Sequence, residues 1–583
     1  MAFDELLEYV GKGGRFQILN AILCMLLNML SSPHDFMENF SSATPAHRCY
    51  VQLLDNLTSE ANITVNLTAE ALLRVSIPMD PNQKPEQCRR FRQTQWQLLN
   101  SNASATNNTE LETEPCLDGW IYDQSVFTST IRTEWNLVCE YQSFKSFAQA
   151  IYMAGFLVGS PLCGFLSDRV GRKPLLLFSC LACGILGTCC AFAPMFSIYC
   201  ALRFLFSACM GTVQFNSLIL LLEGTLPKWH PTIITVFGLS MSMGQVLLGG
   251  LAYMFRDWHV LQLVVSLPYF IFSLFVCVVS ESVRWLIATG QTERALKELK
   301  RIAYINGNKD VAQSLTTEIL TYKMKEELNR SESEKQFKIK EVIVNPIVRR
   351  IVLCGSFLGF SGFFSSHGLM LDVQSLGDDI FLSQFLLGVV EFPSRLLTFF
   401  VVRHIGRRPS TTVSFLVAGS CIVVNIFVSK DMATLRLVIF LLVKTSLSSF
   451  VMIYIAFSNE LVPTTLRLTL QSIFNLAIRS AAIFSALVLA TRSYFVHLPM
   501  ILFGIFPIAA SICVYFLPET FNLPLPDTIE DMEKSWCLEN WIYAYSSMKE
   551  DSYLITCTKI NSKWFKHTHL RPESMKLLDD NNY

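Results

Sequence analysis

The stretch FNLAIRSAAIF, residues 474–484, sets one arginine, Arg479, among residues suited to the interior of a lipid bilayer. A guanidinium at that depth costs about 2.5–3.5 kcal/mol on insertion scales unless it faces a partner or a wet cavity. Its rigid fork of donors fits a carboxylate or a sulfate, and low dielectric strengthens such a contact. The alternative for Arg479 is a buried pair with an acid, but no acid lies nearby on its own helix. Arg395 differs, because Glu391 stands one turn before it in the order that favours an i,i+4 ion pair. Arg203, Asp372 and Lys444 also fall in or near apolar runs and read as interhelical structural charges. No GxxxxGK[ST] and no catalytic constellation occurs, which argues against a primary pump and against an enzyme, and nothing calls for a cofactor or a metal.

The elements that must position these groups are membrane helices. The chain has 583 residues, 51% of them hydrophobic and only 16% charged, with mean hydropathy +0.38. Soluble domains carry roughly 25% charge. Net charge is zero, so the total points to no nucleic acid or other charged partner. Apolar runs long enough to span a bilayer lie near 16–32, 144–166, 174–194, 196–217, 233–254, 260–280, 349–370, 380–402, 410–428, 435–457, 467–490 and 498–517. Asp4, Glu5 and Glu8 precede the first run and no small-residue cleavage site follows, so it reads as a span rather than a signal peptide. The expected fold is therefore an all-α membrane protein of twelve helices.

The loops orient it. Residues 33–143 carry glycosylation sequons at Asn39, Asn56, Asn62, Asn66, Asn102 and Asn107, with cysteines at Cys49, Cys88, Cys116 and Cys139. Both features suit an extracytoplasmic face, and four cysteines leave three pairings open. SDRVGRKP (167–174) and the segment 281–348 are rich in Lys and Arg, which places them and both termini in the cytoplasm. The chain then divides into an N-terminus (1–15), a first six-helix half (16–280), a central loop (281–348), a second half (349–517) and a tail (518–583). RALKELKRIA and LTTEILTYKMKEEL in the central loop read as amphipathic helices under the membrane.

An internal repeat links the halves. Gly171-Arg172-Lys173 recurs as Gly406-Arg407-Arg408, Glu223 as Glu460, and Glu281 as Glu519, at offsets of 235, 237 and 238 residues. Two such halves meet at a midplane cavity and give alternating access by rocking. The repeated basic loops and acidic helix ends predict a charged latch built from Asp168, Arg169, Gly171, Arg172, Glu223, Glu281, Arg284, Arg407, Glu460, Arg467 and Glu519.

GFLSDRVGRK (164–173), ESVRWLI and the Glu-x6-Arg of Glu460 to Arg467 resemble the major facilitator superfamily. MAFDELLEYVGKGGRFQ, EPCLDGWIYD, TSTIRTEWNLVC and PETFNLPLPDTIED resemble the organic anion transporters of solute carrier family 22, from Met1 to about Asp531. One departure is the first copy of Glu-x6-Arg, which reads Glu223 to His230 and would be pH-dependent if His230 pairs.

The resemblance implies a multi-pass plasma-membrane transporter, secondary-active or facilitative. Members that carry cations have an acid at the position of Arg479, whereas members that carry anions have an arginine, with a second basic position at Arg395. It implies a cavity lined by Arg479, Arg395, His367, Ser366, Phe364, Phe474, Asn475, Met241 and Ile455, with Gly359, Phe363, Val451 and Met243 as neighbours. Small, aliphatic and soft residues replace most stacking surfaces there, which suits an amphipathic, lipid-like monoanion such as a prostaglandin or a steroid sulfate. The expected partners are small organic anions, a counter-anion such as a dicarboxylate, and the lipid bilayer. A carrier of organic cations or zwitterions, or a non-transporting receptor or scaffold, stands as the alternative.

Overall fold

The computed structural model describes residues 8, 10, 14–55, 68–80, 83–99, 112–315, 345–373, 379–429, 432–463, 466–521, 523 and 526. Its twelve long helices are α1 (Arg15–Phe36), α2 (Phe144–Val170), α3 (Arg172–Ala191), α4 (Phe196–Glu223), α5 (His230–Met254), α6 (Trp258–Ser266 continuing as Pro268–Val278), α7 (Pro346–Leu371), α8 (Ile380–His404), α9 (Arg407–Phe427), α10 (Ala433–Glu460), α11 (Arg467–Ala490) and α12 (Leu498–Val514). Among the described residues, eleven helices are long and apolar enough to cross a membrane. The twelfth, α12, is a shorter apolar helix of 17 residues.

The repeat read in the sequence is a repeat of packing. In the first half α1 packs on α5, α2 on α4, and α3 on both α4 and α6. In the second half α7 packs on α11, α8 on α10, and α9 on both α10 and α12. The halves join through two related seams, α2 against α11 and α5 against α8. Small residues set these approaches. A Cβ on Gly159 would lie 2.4 Å from the Ala208 carbonyl oxygen, so α2 and α4 touch backbone to backbone there. Such contacts replace the hydrophobic drive that lipid cannot supply between helices.

The first helix runs further than its composition suggests. It continues through Pro33 to Phe36, and a second short helix, Glu38–Ser41, prolongs it. The expected loop from residue 33 therefore begins near residue 42. His34 and Asp35, which fall in the expected loop, are buried. Neighbouring helices resupply the contacts that a proline removes from its own ladder.

Beyond α1, β1 (His47–Cys49) pairs antiparallel with β4 (Trp120–Tyr122), and β2 (Arg89–Phe91) with β3 (Thr113–Pro115). Disulfides Cys49–Cys116 and Cys88–Cys139 staple these ribbons, which resolves the three pairings left open by the sequence. In the chain-entropy model loops of this size gain about 4 kcal/mol per bridge.

At the opposite end the central segment forms Val283–Ala288, Thr292–Ile305 and Lys309–Ser314. Ala295, Leu299, Ile302 and Ala303 form the buried stripe expected of RALKELKRIA and pack with Val10 and Leu226. LTTEILTYKMKEEL beyond Leu315, and the tail beyond 526, lie outside the described residues.

The halves close on each other at the disulfide end. Asn39 donates to the Met370 carbonyl at 2.8 Å, and Phe40 stacks on Phe381 at 5.6 Å between centroids. Asn39 is 1% exposed. Asn39, expected as a glycan acceptor, is thus packed inside this closure. Asn56, Asn62, Asn66, Asn102 and Asn107 lie outside the described residues.

Candidate functional site

Arg479 sits near the middle of α11 and faces the first half across the seam with α2. Its guanidinium carbon lies 5.1 Å from the centre of the Phe156 ring on α2. Among the described residues no carboxylate comes within ion-pair distance of it. The nearest acidic influence is Asp35, at the end of α1. Asp35 is itself engaged, accepting from the Tyr152 hydroxyl at 3.0 Å and from Gln214 Nε2 at 3.3 Å. Tyr152 and Phe156 are one turn apart on α2, so Asp35 and Arg479 address neighbouring parts of one wall. A ring face attracts a cation with about 0.5–2 kcal/mol but leaves its N–H donors unsatisfied. Arg479 is charged, held and available.

The other seam holds a second charge cluster. Arg395 Nη2 lies 3.1 Å from Glu391 Oε2, and Lys444 Nζ of α10 lies 2.5 Å from Glu391 Oε1. Ser242 of α5 donates to Glu391 at 2.6 Å and accepts from Arg395 Nε at 3.0 Å. Met452 sulfur takes the remaining Arg395 contact at 3.6 Å. Glu391 is thus shared by two cations, and Arg395 is neutralised as its spacing on α8 predicted. Lys444 joins α10 to α8, and Arg203 joins α4 to α1 through Glu38 at 3.4 Å, both in the structural roles expected of them.

His367 stands between the clusters. Its ring is 6.2 Å from that of Phe363 on α7, and both Arg479 and Lys444 bear on it electrostatically. Ser366, Met241, Val451 and Ile455 are half-buried, and Asn475 is exposed on α11. Two expected lining residues are not at the surface of any cavity. Phe364 is 2% exposed and packs between Phe503 and Phe506 at 5.0 and 4.9 Å. Phe474 is fully buried beneath Gly355. Both belong to the core of the second half, and the expectation that they line the site is corrected. Gly359 is likewise a packing notch: a Cβ there would meet the Tyr454 hydroxyl at 2.6 Å.

The basic loops form two matching clasps. The Glu281 carboxylate accepts the backbone N–H of Arg172 at 3.0 Å and of Lys173 at 3.1 Å, capping the start of α3. Glu519 does the same for Arg407 at 2.8 Å and Arg408 at 3.0 Å at the start of α9. Anions at a helix N-terminus are stabilised by its exposed donors. Gly171 holds φ +107°, and a Cβ there would lie 2.6 Å from Glu281, so the turn requires glycine. Side chains complete each clasp: Arg172 reaches Glu223 at 3.3 Å and Asp168 at 3.0 Å, while Arg407 grips both oxygens of Glu460 at 2.9 and 3.0 Å.

These pairs each stay within one half. Three further members of the expected latch have surroundings of their own. Arg169 lies over the Phe165 ring at 4.3 Å, and Arg284 sits in the short helix Val283–Ala288. Arg467 opens α11 with Nε and Nη2 lacking hydrogen-bond partners among the described residues. His230 bonds the carbonyls of Leu222 and Thr225 rather than the Glu223 side chain, which removes the basis for a pH-dependent pair.

Comparison with known proteins identifies the scaffold. Residues 139–457 match the model of the sugar (and other) transporter family. Mouse solute carrier family 22 member 22 is 57% identical over 534 residues, covering 92% of this chain and 96% of its own. The chain belongs to solute carrier family 22. Human solute carrier family 22 member 12 and the rabbit steroid transmembrane transporter SLC22A24 are each 43% identical over 533 residues, 91% of this chain and 96% of theirs. The xylose transporter XylE of E. coli, in a partially occluded inward-open conformation, superposes with TM-score 0.58 at 15% identity over 87% of this chain and 98% of its own. That likeness establishes the twelve-helix major facilitator fold. A solute carrier family 22 member is a transporter and not an enzyme, and its family places the chain in a membrane.

Sequence reading missed Asp35 and Ser242. Asp35 falls in the expected loop, because Pro33 and paired serines imitate a helix end. Ser242 gives no signal of its own, since a serine in a membrane helix usually bonds its own backbone.

Proposed function

We propose that this family member carries organic anions by alternating access, with Arg479 as the counter-charge of the bound anion. The observation that carries the reading is Arg479 itself, half-buried at the seam and facing a ring, with no carboxylate in ion-pair contact among the described residues. Arg479, Arg395 and Lys444 stand against Asp35 and Glu391, which leaves one positive charge in excess and favours a monoanion. Val451, Ile455 and Met241 supply an aliphatic and soft wall rather than a stacking surface. A lipid-like monoanion, such as a prostaglandin or a steroid sulfate, matches that wall. The rabbit relative is named a steroid transmembrane transporter, which agrees in substrate class.

The contacts of Asn39 with Met370 and of Phe40 with Phe381 hold the halves together at the disulfide end, which supports access from the side of the basic loops. With the disulfide loop outside the cell, this is the inward-facing state at the plasma membrane. The clasps keep each half rigid while the halves rock, and a dicarboxylate or other anion serves as exchange partner. A competition panel tests the reading: uptake of labelled estrone sulfate against prostaglandins, steroid sulfates, small aromatic acids and organic cations. Amphipathic monoanions should compete most strongly. Stronger competition by organic cations would contradict it.

A further inference from the structure

A second basic site lies at the disulfide end, apart from Arg479. A cleft of about 480 Å³ opens where the two halves meet, lined on one side by Arg132, Gln142 and Lys145 and on the other by Asp372, Arg492 and Leu489. Arg492 is paired with Asp372, both from the second half. Arg132 and Lys145 come from the first half, and among the described residues neither has a carboxylate within ion-pair distance. Arg132 is only 8% exposed, and its Nε has no hydrogen-bond partner among the described residues. Its Nη2 donates to the Gln142 carbonyl at 3.3 Å, which aims the guanidinium along the rim of the cleft. The nearest further acid, Glu38, is already held by Arg203 and Tyr199.

We propose that this cleft binds an oxyanion, a carboxylate or a sulfate, between Arg132 and Lys145 as an outer docking site. A buried guanidinium is stable only with its donors and charge satisfied. Burial lowers Arg132 to about 10, with Glu38 opposing that fall, so it remains a cation at neutral pH. The cleft is roomy, and its one carboxylate, Asp372, is paired with Arg492. An oxyanion there would satisfy Arg132 Nε and Lys145 together while also touching the second half beside Arg492. It would therefore sit above the closed seam, on the route to Arg479 when the disulfide end opens. The same chemistry is offered by a free anion and by an anionic lipid headgroup, since Leu489 and Val496 give the cleft an apolar side.

The test uses the full chain purified into nanodiscs, with thermal unfolding as the readout. In neutral phosphatidylcholine discs, millimolar sodium sulfate should raise the unfolding temperature of wild type by several degrees over chloride at equal ionic strength. The double variant R132Q/K145Q should lose most of that shift, K145Q alone should need a several-fold higher sulfate concentration, and R479A should keep the part that R132Q/K145Q removes. A shift produced by phosphatidylserine discs, absent with sulfate and lost in R132Q/K145Q, would identify the headgroup as the oxyanion. Retention of the full shift in R132Q/K145Q, its loss in R479A, or no shift with either probe would overturn the proposal. Since R479A reports on the central site alone, failure here is distinguishable from failure of the transport reading.

Discussion

Arg479 and Arg395 occupy equivalent situations and have opposite fates. Each sits deep in a second-half helix and faces the first half across one of the two seams. Arg395 meets a carboxylate, a hydroxyl and a thioether. Arg479 meets one aromatic ring. The same residue type is thus spent at one seam and kept available at the other. A cation that is already paired gains little from a second anion, whereas an unpaired one in a low-dielectric site gains the full charge-assisted bond. The contrast separates a joint of the scaffold from a place where cargo can dock.

The largest effect should come from removing what makes Arg395 a joint. Glu391→Gln strands two buried cations, and breaking such a pair costs about 3–5 kcal/mol. Thermal unfolding of the purified protein should shift down sharply, and surface expression should fall. If unfolding is unchanged, Glu391 does not hold that seam. Truncating Arg395 itself is milder, because Lys444 remains on Glu391. For Arg395→Ala we expect apparent affinity to change no more than a few-fold, measured as the KM of anion uptake. A loss as deep as that of Arg479→Ala would erase the distinction between the two arginines.

The clasps refine the comparison at lower energy. Arg407 makes two bonds to Glu460, whereas Arg172 makes one longer bond to Glu223. Hydrogen bonds to charged groups contribute roughly 1.5–3 kcal/mol. Arg407→Ala should therefore lower the maximal uptake rate more than Arg172→Ala, with the ranking of competing substrates preserved in both. A changed ranking in either variant would place the clasp in contact with substrate. Asp168→Asn should do least of all, since the Asp168 side chain is 74% exposed and such surface pairs contribute about 0–1 kcal/mol. A collapse of transport in that variant would show a partner in another conformation.

Much of this was legible beforehand, for identifiable reasons. Hydrophobic runs mark spans because a bilayer tolerates no unpaired backbone, and the Glu391–Arg395 pair follows from helical spacing alone. The repeated Gly-Arg and Glu landmarks pointed to paired charges at the basic loops, but not to the capping of α3 and α9 by Glu281 and Glu519, which depends on how the chain ends fold back. Rotation about a helix was not legible. Phe363 and Phe364 are adjacent, yet successive residues turn by about 100°, and only the packing of Phe503 and Phe506 turns Phe364 inward. Phe474 was lost the same way, beneath a glycine on another helix. The burial of Asn39 was not legible, because a three-residue sequon carries no information on packing. Disulfide pairing depended on ribbons that distant residues form together.

The central claim is that Arg479 carries the charge of the transported anion. Uptake of labelled estrone sulfate, normalised to surface protein, should be compared in wild type, Arg479→Lys and Arg479→Ala. A lost charge-assisted bond corresponds to about 1.5–3 kcal/mol, so Arg479→Ala should fall more than tenfold in kcat/KM. Arg479→Lys should retain part of the activity, because the charge survives while the fork is lost. Arg479→Ala at the cell surface, carrying the anion with wild-type rate and affinity, would contradict the account.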